Sequence, residues 1–273
     1  MKGNGLNIGK GYATGMTGIL AACAILLSLL ACSNIAEDER LIYVKPAAVS
    51  RQVLVEDFTG QRCVNCPKAI DEIVRLQEQY GEDVVIAVGI HSGPLAFETN
   101  SRFLGLKTDT GDEYFDYWKL EYQPVGMIDR SGVLDYISWG ARIREELQKP
   151  APVSIVLDTS VSGRTLSIRT EVMGIDGDTN GKLQLWIAED NITAFQLMPD
   201  GSRRDDYVHQ HVFRAAVNGT WGEPLSVREG ETVSCQHTME VPDDWNVDNL
   251  SVIAFVYDDG GVKQVVKDGK VNI

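Results

Sequence analysis

EDFTGQRCVNCPKAIDEI, residues 56–73, sets Cys63 and Cys66 three positions apart where a strand-like run gives way to a helical one. Upstream, QVLVEDF (52–58) reads as a buried strand, and Thr59-Gly60-Gln61-Arg62 is the turn that leaves it. Downstream, Ala69, Ile70, Ile73, Val74 and Tyr80 recur at three- and four-residue spacing, which predicts an amphipathic helix from Cys66 to Gly81. DVVIAVGIHS (83–92) is a second buried strand, so the stretch predicts a parallel βαβ unit. Three uses of the cysteine pair stand open: disulfide exchange, a static bridge, or two metal ligands. The third lacks a second C-x-x-C or a nearby histidine pair to complete it.

Working outward, GDEYFDYWKL (111–120) predicts a helix, VGMIDR and GVLDYI predict a hairpin around Ser131-Gly132, and SWGARIREELQK (138–149) predicts a closing helix. The order is β-α-β-α-β-β-α. From Pro150-Ala151-Pro152 onward the texture changes to short strands and turns rich in Gly, Asp and Asn. About seven strands are expected there: PVSIVLD, TLSIRTEVM, KLQLWIAED, YVHQHVF, TVSCQHTMEV, LSVIAFVYD and VKQVVK. The predicted architecture is an α/β domain over 51–150 followed by an all-β, immunoglobulin-like sandwich over 151–273.

The compartment bears on the cysteines. Lys2 and Lys10 precede an uncharged run from Gly18 to Ala31, which has the length of a secretory h-region and is too short to span a bilayer. The run ends LLAC at Cys32 and resembles a bacterial lipobox, which implies a signal peptide over 1–31, lipidation of Cys32 and a tether over 32–50. Glu37, Asp38 and Glu39 in that tether resemble the short acidic surface-export signal of Bacteroidetes lipoproteins. The chain carries a formal charge of −14, which becomes −16 without Lys2 and Lys10. Such acidity argues against nucleic-acid binding, and no basic patch offers side-chain attachment to anionic lipid. Membrane contact is expected through the lipid alone.

The element order, with C-x-x-C at the first strand-to-helix junction, resembles the thioredoxin fold. Tyr122-Gln123-Pro124-Val125-Gly126, just before the hairpin, resembles that family's cis-proline loop. The resemblance implies that Cys63 is the exposed nucleophile, Cys66 the resolving thiol and Pro124 the substrate-facing residue. A thiolate at a helix N-terminus is favoured by unsatisfied N–H groups and the helix dipole. The family's tryptophan before the first cysteine is replaced by Gln61-Arg62, and its motif proline falls after the pair, at Pro67. Arg62 is positioned in sequence to favour the thiolate by charge. With YVHQHVFRAAVNGTWGEPL (207–225), residues 53–67 and the proline loop also resemble lipoproteins related to the twenty-eight-kilodalton outer membrane protein of Bacteroidetes. That resemblance implies an outer-membrane location, periplasmic or surface-facing.

Two further constellations stand in the β-rich half. His209 and His211 alternate along one expected strand, and Cys235 and His237 along another, so pairing of those strands would assemble a zinc-like set. Ordinary half-exposed strand positions explain them more simply, and Cys235 reads as a small buried hydrophobe. Asp176, Asp178 and Asn180 open like a calcium loop, but Ile187 stands where a bidentate glutamate is required, which favours a polar turn. No metal or cofactor is implied. Two function classes follow: a thiol-disulfide oxidoreductase acting on cysteine-containing envelope proteins, or a non-catalytic surface lipoprotein whose β-domain binds a protein or glycan.

Overall fold

The computed structural model describes residues 45–268; the signal, Cys32 and most of the tether lie outside them. Strand β1 (Val53–Thr59) and strand β2 (Val85–His91) pair in parallel, Val53 opposite Val85 through Thr59 opposite His91, and both are buried along their whole length. Strands covered on both faces read as unbroken apolar runs. Alternate side chains serve the two faces. Val53, Val55, Val85 and Ala87 pack under helix α1 (Cys66–Tyr80) and helix α3 (Trp139–Glu146), whereas Leu54, Phe58, Ile86, Val88 and Ile90 pack with helix α2 (Asp109–Tyr117).

Helix α1 starts where Pro67 removes an N–H that has no intrahelical partner, and it ends at Gly81, whose φ of 103° suits glycine. Its buried stripe is Ala69, Ile73 and Leu76. Val74, expected inside, is 48 % exposed, because the helix docks on the Leu76 side, against α3. Helix α2 is capped by the Thr108 hydroxyl, which accepts from Gly111 N. The hairpin is present as strands β3 (Val125–Ile128) and β4 (Val133–Leu134), with β3 antiparallel to β1. The local order β-α-β-α-β-β-α is therefore observed.

The β-rich half does not start a separate sheet. Strand β7 (Thr179–Glu189) is the axis on which β13 (Leu250–Asp258), β10 (Val212–Ala216) and β11 (Glu223–Val227) assemble, with β14 (Gly261–Asp268) beyond β13. Strand β10 then joins β2 at Val212 opposite Gly89, so one nine-stranded sheet runs from β14 to β4. One apolar core crosses the join, holding Ile86 and Phe58 together with Trp186, Phe213 and Phe255. The segments 51–150 and 151–268 thus share a sheet and a core within one compact unit.

A second sheet of three strands, β5 (Val153–Ser162), β6 (Thr165–Gly174) and β12 (Thr232–Glu240), packs its inner face on β7 and β13 through Val153, Ile155, Leu166 and Ile168 against Leu185, Val252 and Ala254. Strand β12 alternates exposed and half-buried residues, as a strand with one wet face does. Between β7 and β10 a separate hairpin, β8 (Ile192–Leu197) and β9 (Arg203–His209), leaves the sheet.

That hairpin corrects the expectation of a single strand through YVHQHVF. Strand β9 stops at His209, and His211 takes a positive φ of 56° before β10 begins at Val212. His209 and His211 therefore do not share a strand face. His209 lies against His91, His211 binds Asp190, and His237 binds Glu223 on the far sheet, so the zinc-like set is not brought together. Cys235 is half-buried on the three-stranded sheet rather than fully inside it. Asp176 and Asp178 sit in the turn between β6 and β7, paired with Lys45 and with Glu229 N, while Asn180 belongs to β7.

Candidate functional site

Cys63 and Cys66 form a disulfide, with Cα atoms 5.4 Å apart, at the mouth of α1. Gln123-Pro124 is a cis peptide, and the Gln123 amide donates to Thr59 O at 2.7 Å and to Ser92 O at 3.0 Å, tying the proline loop to the ends of β1 and β2. The two sequence signals are thus anchored around the same strand ends.

Exposure departs from expectation. Cys63 is 2 % exposed and Cys66 1 %, so Cys63 is not the accessible partner of the pair. The cause is the β8–β9 hairpin. Leu197 N donates to Gln61 O at 2.9 Å, and the Gln196 amide donates to Cys63 O at 3.0 Å. Gln61 works from the other side: its amide donates to Leu104 O and Phe195 O, and its Oε1 accepts from Leu106 N. Gln61, one of the two residues standing where the family keeps its tryptophan, is a fully buried bracket holding turn, loop and hairpin together. Arg62 turns outward, with its guanidinium 5.0 Å from the Phe97 ring centre. It is engaged there rather than by a thiolate.

Beside Cys66 lies a cavity of about 20 Å³, lined by Thr59, His91, Gln196, Tyr207 and His209 among others. It has room for about one water molecule. Its histidines meet edge to face with ring centres 5.2 Å apart. Burial holds His91 well below its usual pKa, with the neighbouring His209 and Arg214 adding to the effect, and burial brings His209 down to about 4. Both are neutral near pH 7.

Asp57, on β1, was not singled out by sequence. It is completely buried, neither carboxylate oxygen has a hydrogen-bond partner, and burial raises its pKa to about 8. Near neutral pH it is a carboxylic acid. The signal available for it was an acidic pair, Glu56-Asp57, inside an otherwise apolar strand. Glu56 points to the opposite face and receives the Arg130 Nε at 3.2 Å. A buried ion cluster, Arg51 with Asp129 and Glu146, ties the start of β1 to α3, and Arg51 also donates to Val262 O and Lys263 O of β14.

Among known families, the profile of outer membrane protein Omp28 matches residues 111–272, more than half of the chain. The chain belongs to the Omp28 family. This is an outer-membrane family of the cell envelope. Among solved structures, HBP35 of Porphyromonas gingivalis shares the fold at a TM-score of 0.66 and 15 % identity, over 82 % of this chain and 77 % of that one. A domain of the outer membrane lipoprotein Omp28 from Porphyromonas gingivalis is 24 % identical, over 45 % of this chain and 89 % of that one, at a TM-score of 0.34. No curated protein matches the chain. The Omp28 match begins at α2 and runs through the β-rich half, leaving the cysteine turn outside it.

Proposed function

We propose that this Omp28-family protein is a non-catalytic, lipid-anchored envelope protein, in which the Cys63–Cys66 disulfide is a clasp and the β-rich half binds a partner. The observation that carries this reading is the covered disulfide, with both sulfur-bearing residues buried under the β8–β9 hairpin. Exchange requires in-line access of a thiolate to one sulfur, and the burial of both residues, with the hairpin bound to the Cys63 carbonyl, works against that access. The frame is read as thioredoxin-like from its element order, and the facing sheets as immunoglobulin-like. The order of elements around the pair also favours the other reading, exchange on exported proteins with Cys63 attacking, Cys66 resolving and Pro124 facing the substrate, but that reading needs the hairpin to lift.

A trapping experiment separates the two. Removing the resolving thiol of an exchange enzyme leaves mixed disulfides in place. Cys66→Ser is expected to collect no reductant-sensitive adducts in the envelope, and Cys63→Ser and Cys66→Ser are expected to lose similar stability, about 2 kcal/mol for so short a loop. Specific adducts on Cys66→Ser alone would sink the clasp. Fatty-acid labelling in the same cells, present in the parent and absent from Cys32→Ser, tests the anchor.

A further inference from the structure

Where the end of α2 meets strands β7 and β13, the structure holds an open pocket of about 640 Å³, the size of a small-ligand site. One wall of it is aromatic. Tyr117, the last residue of α2, is 60 % exposed, and its ring centre lies 4.3 Å from that of Trp221. Trp221 is held from three directions: its indole N–H donates to Glu113 Oε1 at 2.9 Å, its carbonyl accepts from the Tyr257 hydroxyl at 2.7 Å, and its ring meets Tyr114 edge to face at 5.1 Å. The Thr220 hydroxyl donates to the other Glu113 oxygen at 3.0 Å, which ties the turn before β11 to α2. The wall is therefore preorganised, and a ligand meets it without ordering it first.

The rest of the lining is polar, and half of its charges are settled within the protein. Of the four ionic residues there, Arg130 is paired with Glu56 at 3.2 Å and Asp258 with Lys263 at 2.7 Å. Lys182 and Asp259 remain, one of each sign. Asn180 accepts from the Ser226 hydroxyl at 2.7 Å through its oxygen, which leaves its amide N–H groups to donate. The pocket thus offers donors, an acceptor and an apolar face, with no net charge to attract an ion.

That set discriminates between ligand classes. An anion would meet Asp258 and Asp259, and a cation would meet Lys182. A wholly apolar molecule would strip water from Lys182, Asp259 and Asn180 and return no hydrogen bonds. A pyranose ring answers all three demands, because its faces are C–H and each hydroxyl around its edge both donates and accepts.

We propose that this pocket binds a neutral sugar, one C–H face of a pyranose ring laid on Tyr117 and Trp221 and its edge hydroxyls bonded to Lys182, Asn180 and Asp259. The proposal names the ligand class of the binding role proposed above, and it rests on that reading.

The test is saturation-transfer NMR on the full-length protein, disulfide intact, in a polyoxyethylene detergent that carries no sugar. The probes are the methyl β-glycosides of D-glucose and D-galactose, with D-glucuronate, D-glucosamine and the neutral dipeptide N-acetyl-alanyl-alaninamide for comparison. At least one glycoside is expected to bind, its ring C–H protons receiving the strongest transfer, and each comparison probe is expected to bind about threefold more weakly or worse. Tyr117→Ala, at an exposed position, is expected to weaken that glycoside about tenfold, whereas Tyr117→Phe, which keeps the ring, changes it by less than about twofold. Asp259→Ala, at an exposed position outside the aromatic wall, is expected to weaken it about threefold. No saturable transfer to either glycoside up to about 50 mM, tighter binding of a charged sugar or of the dipeptide, or unchanged binding in either alanine variant would each overturn the proposal. An empty pocket with no adducts on Cys66→Ser leaves the clasp standing, and adducts on a protein that binds the glycoside overturn the clasp alone, so the two failures are distinct.

Discussion

Glu56 and Asp57 are neighbours on one strand, both fully buried, and the sheet sends them to opposite faces. Glu56 meets a guanidinium 3.2 Å away, inside a cage of aromatic rings. Asp57 meets no partner, on the face that carries α1 and the closed disulfide, and burial keeps it protonated near neutral pH. One carboxyl group of the pair therefore keeps a counter-ion, and the other has none and gives up its charge. The difference teaches that a carboxyl group buried in this strand is held either by a counter-ion or by its own proton. It also explains why the cysteine motif, the loudest signal in the sequence, is the quieter half of the structure.

The largest expected effect breaks the charged face. Arg130→Gln leaves Glu56 buried without its counter-ion, a change that costs about 3–5 kcal/mol in comparable pairs. Adding Glu56→Gln removes the stranded charge and is expected to recover most of the loss, as read by urea denaturation of both variants beside the parent. If the single and double variants lose the same amount, the pair is not the organising element of that face.

Asp57→Asn sharpens the other side. In the unfolded chain the carboxyl releases its proton near pH 4, whereas folded it holds it to about pH 8. Between those values the native state binds more protons, so this group makes stability fall as pH rises, by at most about 1.4 kcal/mol per unit. Its contribution is fully present below about pH 4 and lost as pH passes through about 8. The asparagine variant lacks that slope. Its stability relative to the parent is expected to climb from pH 4 upward, gaining roughly 2–4 kcal/mol by pH 7. Denaturation midpoints at several pH values check it, and a gap independent of pH would mean that Asp57 ionises normally in the folded protein.

How much of this was legible follows from which forces are local. The β1-turn-α1 junction was readable because apolar spacing, Pro67 and Gly81 all act within a turn or two of the chain. That α1 would bury Leu76 and expose Val74 was not, since the docking of α3 decides it. Strand β9 was hidden because Arg203-Arg204-Asp205-Asp206 has no apolar alternation, and its pairing with β8 alone makes it a strand. The continuous sheet was hidden as well. It depends on one parallel junction, Val212 to Gly89, between residues far apart in sequence, supported by Gly89 N donating to His211 O. The pocket of about 640 Å³ lined by Tyr117, Trp118, Trp221 and Tyr257 draws on α2, the β3–β4 turn, strands β7 and β13 and the turn before β11, so no stretch of sequence contains it.

The smallest effect concerns Arg62, whose place beside Cys63 in sequence suggested that its charge acts on the thiolate. The structure instead lays its guanidinium over Phe97, 5.0 Å from the ring centre, on an exposed stretch of backbone whose N–H donates to Leu95 O. An exposed cation–π contact is worth about 0.5–1 kcal/mol. Arg62→Ala is therefore expected to lower stability by that amount and no more. A double-mutant cycle with Phe97→Leu should assign most of the loss to the pair, since Phe97 also packs against Phe103 and Phe195 and its own truncation will cost more. The decisive reading is chemical. If Arg62 acts on the sulfur, Arg62→Ala slows alkylation of Cys63 in the reduced protein near neutral pH; if it only braces the loop that covers the turn, alkylation stays the same or quickens as the cover loosens. The geometry requires the second result, and the first would reopen the cysteine face as a working site.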